Sequence, residues 1–201
     1  MPLTIRLDKQ TIQSHDLTPL EPYMKWNEQF RQFFMDNRGR EHYRLLANVS
    51  SQLPTGSKVA DLGTYNGGSA LALSANSGVT VTTYDITECI PPFGETTLTR
   101  PNVTQKIMKC QDDVATLVEN DVIMLDIAHD GVQEDAILEL LAEHNYKGLL
   151  FMDDIHLNDP MRNTWKKITA YKKYDITPLG HWSGTGLVVF DPSKIDVEIT
   201  M

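Results

Sequence analysis

The feature that most limits what this 201-residue chain can fold into is the stretch Val59-Ala-Asp-Leu-Gly-Thr-Tyr-Asn-Gly-Gly-Ser-Ala-Leu-Ala-Leu. An apolar run ends in Asp61, turns through Gly63 and Gly67, and resumes a helical pattern at Ser69. Glycines where a chain leaves a buried parallel strand let the backbone approach a ligand and take a φ > 0 turn that a side chain would block. The stretch therefore reads as a nucleotide-cofactor turn. A dinucleotide fingerprint needs G-x-G-x-x-G and an acid about 20 residues on. Here the acid lies two residues before the first glycine, and the second glycine comes four later.

The rest of the chain supplies elements in the matching order. Residues 1 to 20 are mixed and proline-punctuated and read as an arm or loop. Two helices follow, one with Trp26, Phe30, Phe33 and Phe34 at helical spacing and one with Leu45, Leu46 and Val49, separated by a break at Asn37-Arg38-Gly39. Strands are expected over 58–62, 79–85, 103–108, 122–126, 148–152, 174–179 and 186–190, with helices at 69–75, 113–119, along Val132, Ala136, Ile137, Leu140 and Leu141, and along Met161, Trp165, Ile168 and Tyr171. The segment Ile90-Pro-Pro-Phe-Gly-Glu reads as a loop. Such alternation predicts a Rossmann-like, doubly wound, mostly parallel α/β sheet of seven strands with an antiparallel C-terminal hairpin at its edge. The expected layout is one domain, with an N-terminal arm and helical cap over 1–57 and a core over 58–201.

A net charge of -9 argues against nucleic acid as the main partner, because phosphate neutralisation needs a basic face. Cys89 and Cys110 show no C-x-x-C pairing and read as free thiols in a reducing compartment. No segment approaches the roughly 20 apolar residues of a membrane span, so the expectation is a cytoplasmic protein without a membrane partner.

In an open parallel sheet, ligands collect beyond the carboxyl ends of the strands, near the point where the strand order reverses. Four expected strands end in acids: Asp61, Asp85, Asp126 and the pair Asp153-Asp154. Asp85 is placed to accept from both hydroxyls of a ribose, with a turn or helix-cap aspartate as the plain alternative. Gly63, Gly67 and Ser69 allow close backbone approach, and Ser69 is also able to cap the helix. Asp126, Asp153 and Asp154 form a hard-oxygen cluster suited to Mg²⁺ or another octahedral divalent ion. Carboxylates converging in a cleft either share a cation or rise in pKa. The alternative is that Asp153 caps the next helix and Asp154 is solvated. His129 can take a hydroxyl proton near neutral pH, or else only hydrogen-bonds Asp126 or the cofactor. His156 and the His181-Trp182 pair are expected over the same cleft, with Trp182, Tyr23 and Trp26 as candidate lid aromatics; core packing is the alternative for Trp26 and Trp165.

The string Asp-Leu-Gly-Thr-Tyr-Asn-Gly-Gly-Ser resembles motif I of class I S-adenosylmethionine methyltransferases. With Tyr65 where many members carry a glycine, it is similar to the small-molecule O-methyltransferase branch that includes catechol O-methyltransferase. The resemblance covers residues 58 to 191. It implies S-adenosylmethionine held by Asp61, Gly63, Tyr65, Gly67, Ser69 and Asp85, with Asp112 or Asp113 at the adenine amine; Asp112 is preferred, and a helix N-cap is the alternative. Metal-dependent members carry Asp-Asn after the fifth strand, whereas Asp153-Asp154 is similar to macrocin-type sugar O-methyltransferases and implies a sugar hydroxyl as acceptor. Catechol-type enzymes carry a basic lysine at the offset of His129, which implies His129 as general base, with Asp130 as a second candidate. Over its whole length, through Asp-Leu-Gly-Thr-Tyr-Asn-Gly-Gly and Met-Asp-Asp-Ile-His, the chain also resembles the methyltransferase domain of a large-virus, chlorovirus-like glycan-building enzyme. That resemblance implies a deoxyhexose acceptor such as rhamnose, a longer multidomain polypeptide and a host-cytoplasmic location. The expected partner is a hydroxyl-bearing small molecule or glycan, and a homodimer is compatible. The rival readings are a catechol or phenol O-methyltransferase, a non-catalytic cofactor-binding subunit and an NAD-dependent oxidoreductase.

Overall fold

The computed structural model describes residues 2–24, 28–35, 40–88 and 99–201. Its centre is a seven-stranded sheet of β2 (Lys58–Leu62), β3 (Thr80–Asp85), β4 (Val103–Ile107), β5 (Val122–Leu125), β6 (Leu149–Asp153), β7 (Lys172–Asp175) and β8 (Thr185–Val189). The spatial order is β4-β3-β2-β5-β6-β8-β7. All pairings are parallel except those of β8, which runs antiparallel to both β6 and β7. The expected sheet is therefore present, with the reversed strand slotted inside the lysine-bearing edge strand β7, a residue type that blunts edge pairing.

Alternate residues of each central strand feed two cores. Val59, Val122, Met124, Leu149 and Phe151 pack on one face, and Ala60, Ile123, Leu125, Leu150 and Met152 on the other. This is why β5 and β6 read as unbroken apolar runs: both faces are covered. One layer contains α3 (Arg40–Gln52) and α4 (Gly68–Leu73), and the other α6 (Val132–Glu143) and α7 (Asp159–Lys167). On α6 the buried residues are Glu134, Ile137 and Leu141, whereas Val132 is 72% exposed and Ala136 is exposed too. The inward stripe is thus narrower than the sequence pattern implied.

The N-terminal segment is not a loose arm. Leu3–Asp8 form β1, which pairs in parallel with β9 (Ile195–Thr200) from Leu3↔Ile195 to Asp8↔Thr200. Both strands alternate apolar and polar residues, and Ile5, Leu7, Ile195 and Val197 are buried. α1 (Lys9–Gln13) follows, capped by Asp8 accepting from Thr11 N. After a 3₁₀ turn comes α2 (Glu28–Met35). Trp26, the break at 37–39, Cys89 and the loop beginning at Ile90 lie outside the described residues. Among the described residues no helix is long and apolar enough to cross a membrane.

The chain runs outward from β2 through β3 to β4, then returns to the other side of β2 for β5 and β6. The reversal lies between β2 and β5, so the crevice beyond their carboxyl ends is where such sheets bind ligands.

Candidate active site

β2 ends in Leu62, and Gly63 leaves it with φ 100°. A Cβ on Gly63 would lie 1.7 Å from the backbone oxygen of Asp126, the first residue after β5. The glycine is thus required by the closeness of two strand ends, a steric demand beyond the ligand approach expected from sequence. Gly67 has φ 81° at the N-cap of α4, and its N–H donates to Thr64 O at 2.6 Å. Asp61 is fully buried and props the turn from beneath. It accepts from Thr83 Oγ1 at 2.7 Å and from the Ser69 hydroxyl, and its Oδ1 has no hydrogen-bond partner. Burial pushes its carboxyl up to about 7. Asp61 therefore lies under the cavity rather than lining it.

The folded-state pKa of Asp61 stands above its unfolded value, so between roughly pH 4 and pH 7 the folded state binds the extra proton and stability falls as pH rises. Asparagine imitates the neutral acid. The unfolding midpoint of Asp61→Asn is expected to decline less than that of the parent across that window. Parallel pH profiles would contradict the assignment.

A cavity of 860 Å³ opens at the reversal point and is lined by Gly63, Tyr65, Asp85, Asp126, His129 and Asp153-Asp154, among others. Three of these residues hold backbone conformations usually left to glycine: Tyr65 (φ 44°), His129 (φ 56°) and Asp154 (φ 58°). Such strain collects at functional sites. On one wall, Asp85 at the end of β3 accepts from Tyr65 N at 3.0 Å and Thr87 N at 3.1 Å, which fixes its carboxylate. Beside it the wall is Met108, Lys109, Cys110 and Gln111; the Cys110 thiol is pushed up to about 11 by burial. Asp112 and Asp113 do not line the cavity. Asp112 is exposed, and Asp113 takes hydrogen bonds from Tyr84 OH, Lys106 Nζ and Thr116 Oγ1, a strut between β3, β4 and α5 (Val114–Leu117).

Opposite stands His129. Its Nε2 lies 2.8 Å from Asp126 Oδ1 and 3.3 Å from Asp154 Oδ2. A carboxylate only accepts, so the ring nitrogen facing it carries a proton. The hydrogen bond to Asp126, reinforced by the charges of Asp126, Asp154 and Asp153, outweighs burial and raises His129 to about 9. Two residues not anticipated from sequence clamp its backbone. Glu134, 1% exposed, accepts from His129 N at 2.7 Å with one oxygen and from Gly131 N at 2.8 Å with the other. Asn158, the N-cap of α7, donates to His129 O at 2.9 Å. The glutamate three residues after Gly131 is the sequence signal for this clamp. Asp130 instead accepts from Val132 N and Gln133 N at the start of α6.

At the end of β6, Asp153 is 7% exposed, and its Oδ1 has no hydrogen-bond partner. Burial raises its pKa. Asp153, Asp154 and His181 each offer a ligand atom within 4.8 Å of the others. These residues fit a divalent cation, but the grouping differs from the expected trio: His181 enters it, and Asp126 is engaged by His129. Burial alone would raise Asp154, but the adjacent His181 imidazole, the hydrogen bond from Ser183 and the charge of His129 hold it below the usual carboxylate range. A smaller cavity of 180 Å³ adjoins, lined by Ser69 and His181 together with His42 and Tyr43 of α3, and it shares Gly63, Tyr65, Asp126 and Asp153 with the larger one. His156 is spent on Asp175, 2.8 Å away, and ties the loop after β6 to the end of β7. Trp182 is 73% exposed beside His181. Tyr23 packs against the core under Arg100, 4.9 Å from its ring, and is no lid.

No protein family and no curated protein matches the sequence. Solved structures do match by fold. The O-methyltransferase TomG of Streptomyces achromogenes, involved in tomaymycin synthesis and solved in complex with S-adenosylmethionine, aligns with a TM-score of 0.59 at 15% identity, over 88% of this chain and 91% of that one. An O-methyltransferase of Bacillus cereus, solved with S-adenosylhomocysteine, gives 0.58 at 17% identity over 85% and 90%. A methyltransferase of Geobacter sulfurreducens gives 0.55 at 13% over 87% and 90%. The fold is the Rossmann-like one of these methyltransferases.

Proposed function

We propose that the protein is an S-adenosylmethionine-dependent O-methyltransferase that acts on a hydroxyl of a sugar, with a divalent cation assisting. The observation that carries this reading is that the Gly63 turn and the His129–Asp126 pair line one cavity at the sheet's reversal point. The volume suits a cofactor and part of an acceptor.

In this reading the adenosine lies along the Asp85 wall, with the carboxylate accepting from the ribose hydroxyls, and the methionine end enters the smaller cavity beside Ser69 and Asn66. Methyl transfer is an in-line displacement: the acceptor oxygen bonds the methyl carbon as the carbon–sulfur bond breaks, and the electron pair goes to sulfur. Holding the two centres about 3 Å apart in a dry pocket supplies most of the rate. The acceptor proton passes to His129. With Nε2–H donated to Asp126, the basic lone pair is on Nδ1. The ligand-free ring holds an extra proton at neutral pH, and the sulfonium charge of an arriving cofactor opposes that proton and drives the ring toward its basic form. Asp153 and Asp154, with His181 beside them, would hold a divalent ion whose charge lowers the pKa of a nearby hydroxyl. The exposed Trp182 ring offers an apolar platform of the kind sugars stack on. The Asp-Asp pair and its likeness to macrocin-type enzymes favour a sugar over a catechol.

The test is incubation with methyl-labelled cofactor and a panel of free sugars, glycosides and catechols, with and without chelator. Label on a sugar hydroxyl is expected, and label on catechols alone would overturn the sugar reading. Full activity in chelator would remove the cation and leave methyl transfer standing. The clamp makes a further prediction. Glu134→Gln puts an amide donor against a backbone donor, so turnover is expected to fall about 10²-fold through displacement of His129, with S-adenosylhomocysteine affinity unchanged in calorimetry. Unchanged turnover would show that Glu134 does not position the base.

A further inference from the structure

We infer that the cation site at the end of β6 is a mixed oxygen–nitrogen site of Asp153, Asp154 and His181, and that it takes a first-row transition ion, Mn²⁺, Co²⁺ or Zn²⁺, in preference to Mg²⁺. The inference deepens the methyltransferase reading, since the acceptor hydroxyl would meet that ion, but its test requires no methyl transfer. The site stands on more than the convergence of acids. Asp153 Oδ1 is buried without a hydrogen-bond donor although two imidazole nitrogens surround it, His42 Nδ1 at 3.7 Å and His181 Nδ1 at 3.9 Å. His181 Nδ1 is also 3.5 Å from Asp154 Oδ1.

These gaps exceed a hydrogen bond. They approach the separation of about 3–3.6 Å between two donors that share one ion at bonds of roughly 2.0–2.2 Å. His42 Nδ1 itself lacks a hydrogen-bond partner, but it falls outside the group of three and flanks Asp153 from α3. Ser183, 3% exposed, donates its hydroxyl proton to Asp154 Oδ1 and accepts from His181 Nδ1–H, a proton that a bound ion would displace. An outer hydroxyl that fixes a ligating carboxylate is characteristic of built metal sites. Mg²⁺ prefers all-oxygen octahedra and dehydrates reluctantly, whereas an imidazole favours the later divalent ions. Asp126, which bonds His129 through Oδ1, falls outside the converging group of three.

The experiment uses the whole chain. Mn²⁺-loaded protein, without cofactor, is read by pulsed electron paramagnetic resonance for directly bound ¹⁴N, and Mg²⁺, Mn²⁺ and Zn²⁺ affinities are measured by calorimetry for the parent, His181→Ala and His129→Ala. A directly bound nitrogen is expected in the parent and in His129→Ala, and is lost in His181→Ala. That variant should lose about 10- to 100-fold in Mn²⁺ and Zn²⁺ affinity while Mg²⁺ binding holds. An all-oxygen spectrum from the parent overturns the proposal even if His181→Ala fails to fold, as does an equal loss for Mg²⁺. S-adenosylhomocysteine binding is measured separately, so nitrogen coordination without cofactor binding would keep the metal site and remove the methyltransferase reading.

Discussion

Gly63→Ala is expected to abolish cofactor binding and to destabilise the fold by at least about 4 kcal/mol, the range reserved for gross steric or burial faults. The added methyl would lie 1.7 Å from Asp126 O, and its collision partner is backbone that no rotamer change can move. Relief requires β2 and β5 to separate at the point where the cavity opens. Gly56 provides the control. It also has positive φ, at 91°, but a Cβ there would meet nothing within 4 Å. Gly56→Ala should therefore cost only the conformational term, about 1–2 kcal/mol. Denaturant midpoints of the two variants report the difference, and equal losses would mean that the contact between strand ends is not what demands glycine at Gly63.

His129→Ala is expected to lower turnover by about 10²- to 10⁴-fold, the span of general-base contributions, while S-adenosylhomocysteine affinity stays near that of the parent. The ring follows β5 and the Asp85 wall follows β3, on either side of the Gly63 turn that leaves β2. Asp126→Asn should lie between His129→Ala and the parent: its amide oxygen can still accept from Nε2, but the negative charge that holds the proton there is gone. Steady-state kinetics with titration of the cofactor product separate the effects. If His129→Ala turns over normally while Asp126→Ala is dead, the base is not His129.

The convergence of the strand-end acids is legible in the sequence because strand ends advertise themselves. An apolar run that stops at an acid marks both a buried parallel strand and the edge where its ligand collects, and Asp85, Asp126 and Asp153-Asp154 do line one cavity. The β1–β9 pairing was not readable, since each strand's partner lies nearly the whole chain away and the alternation of Leu3, Ile5 and Leu7 is too short to stand alone. Nor did the sequence show that Tyr65, His129 and Asp154 take left-handed backbone conformations, because no glycine marks them and the surrounding hydrogen bonds enforce them. Asp112 and Asp113 stay off the cavity wall for a local reason: Lys106 and Tyr84 claim Asp113, and Asp112 lies exposed in the 3₁₀ turn at Cys110–Asp113. His42 was invisible because it arrives from α3, and only the packing of that helix on the sheet reveals that it faces Asp153.

The most direct measurement is a crystal structure with S-adenosylhomocysteine bound. The ribose hydroxyls are expected on Asp85, the sulfur over the Gly63 turn and the open side facing His129. A ligand seated away from this cavity, or a nucleotide whose sulfur points away from His129, would contradict this placement.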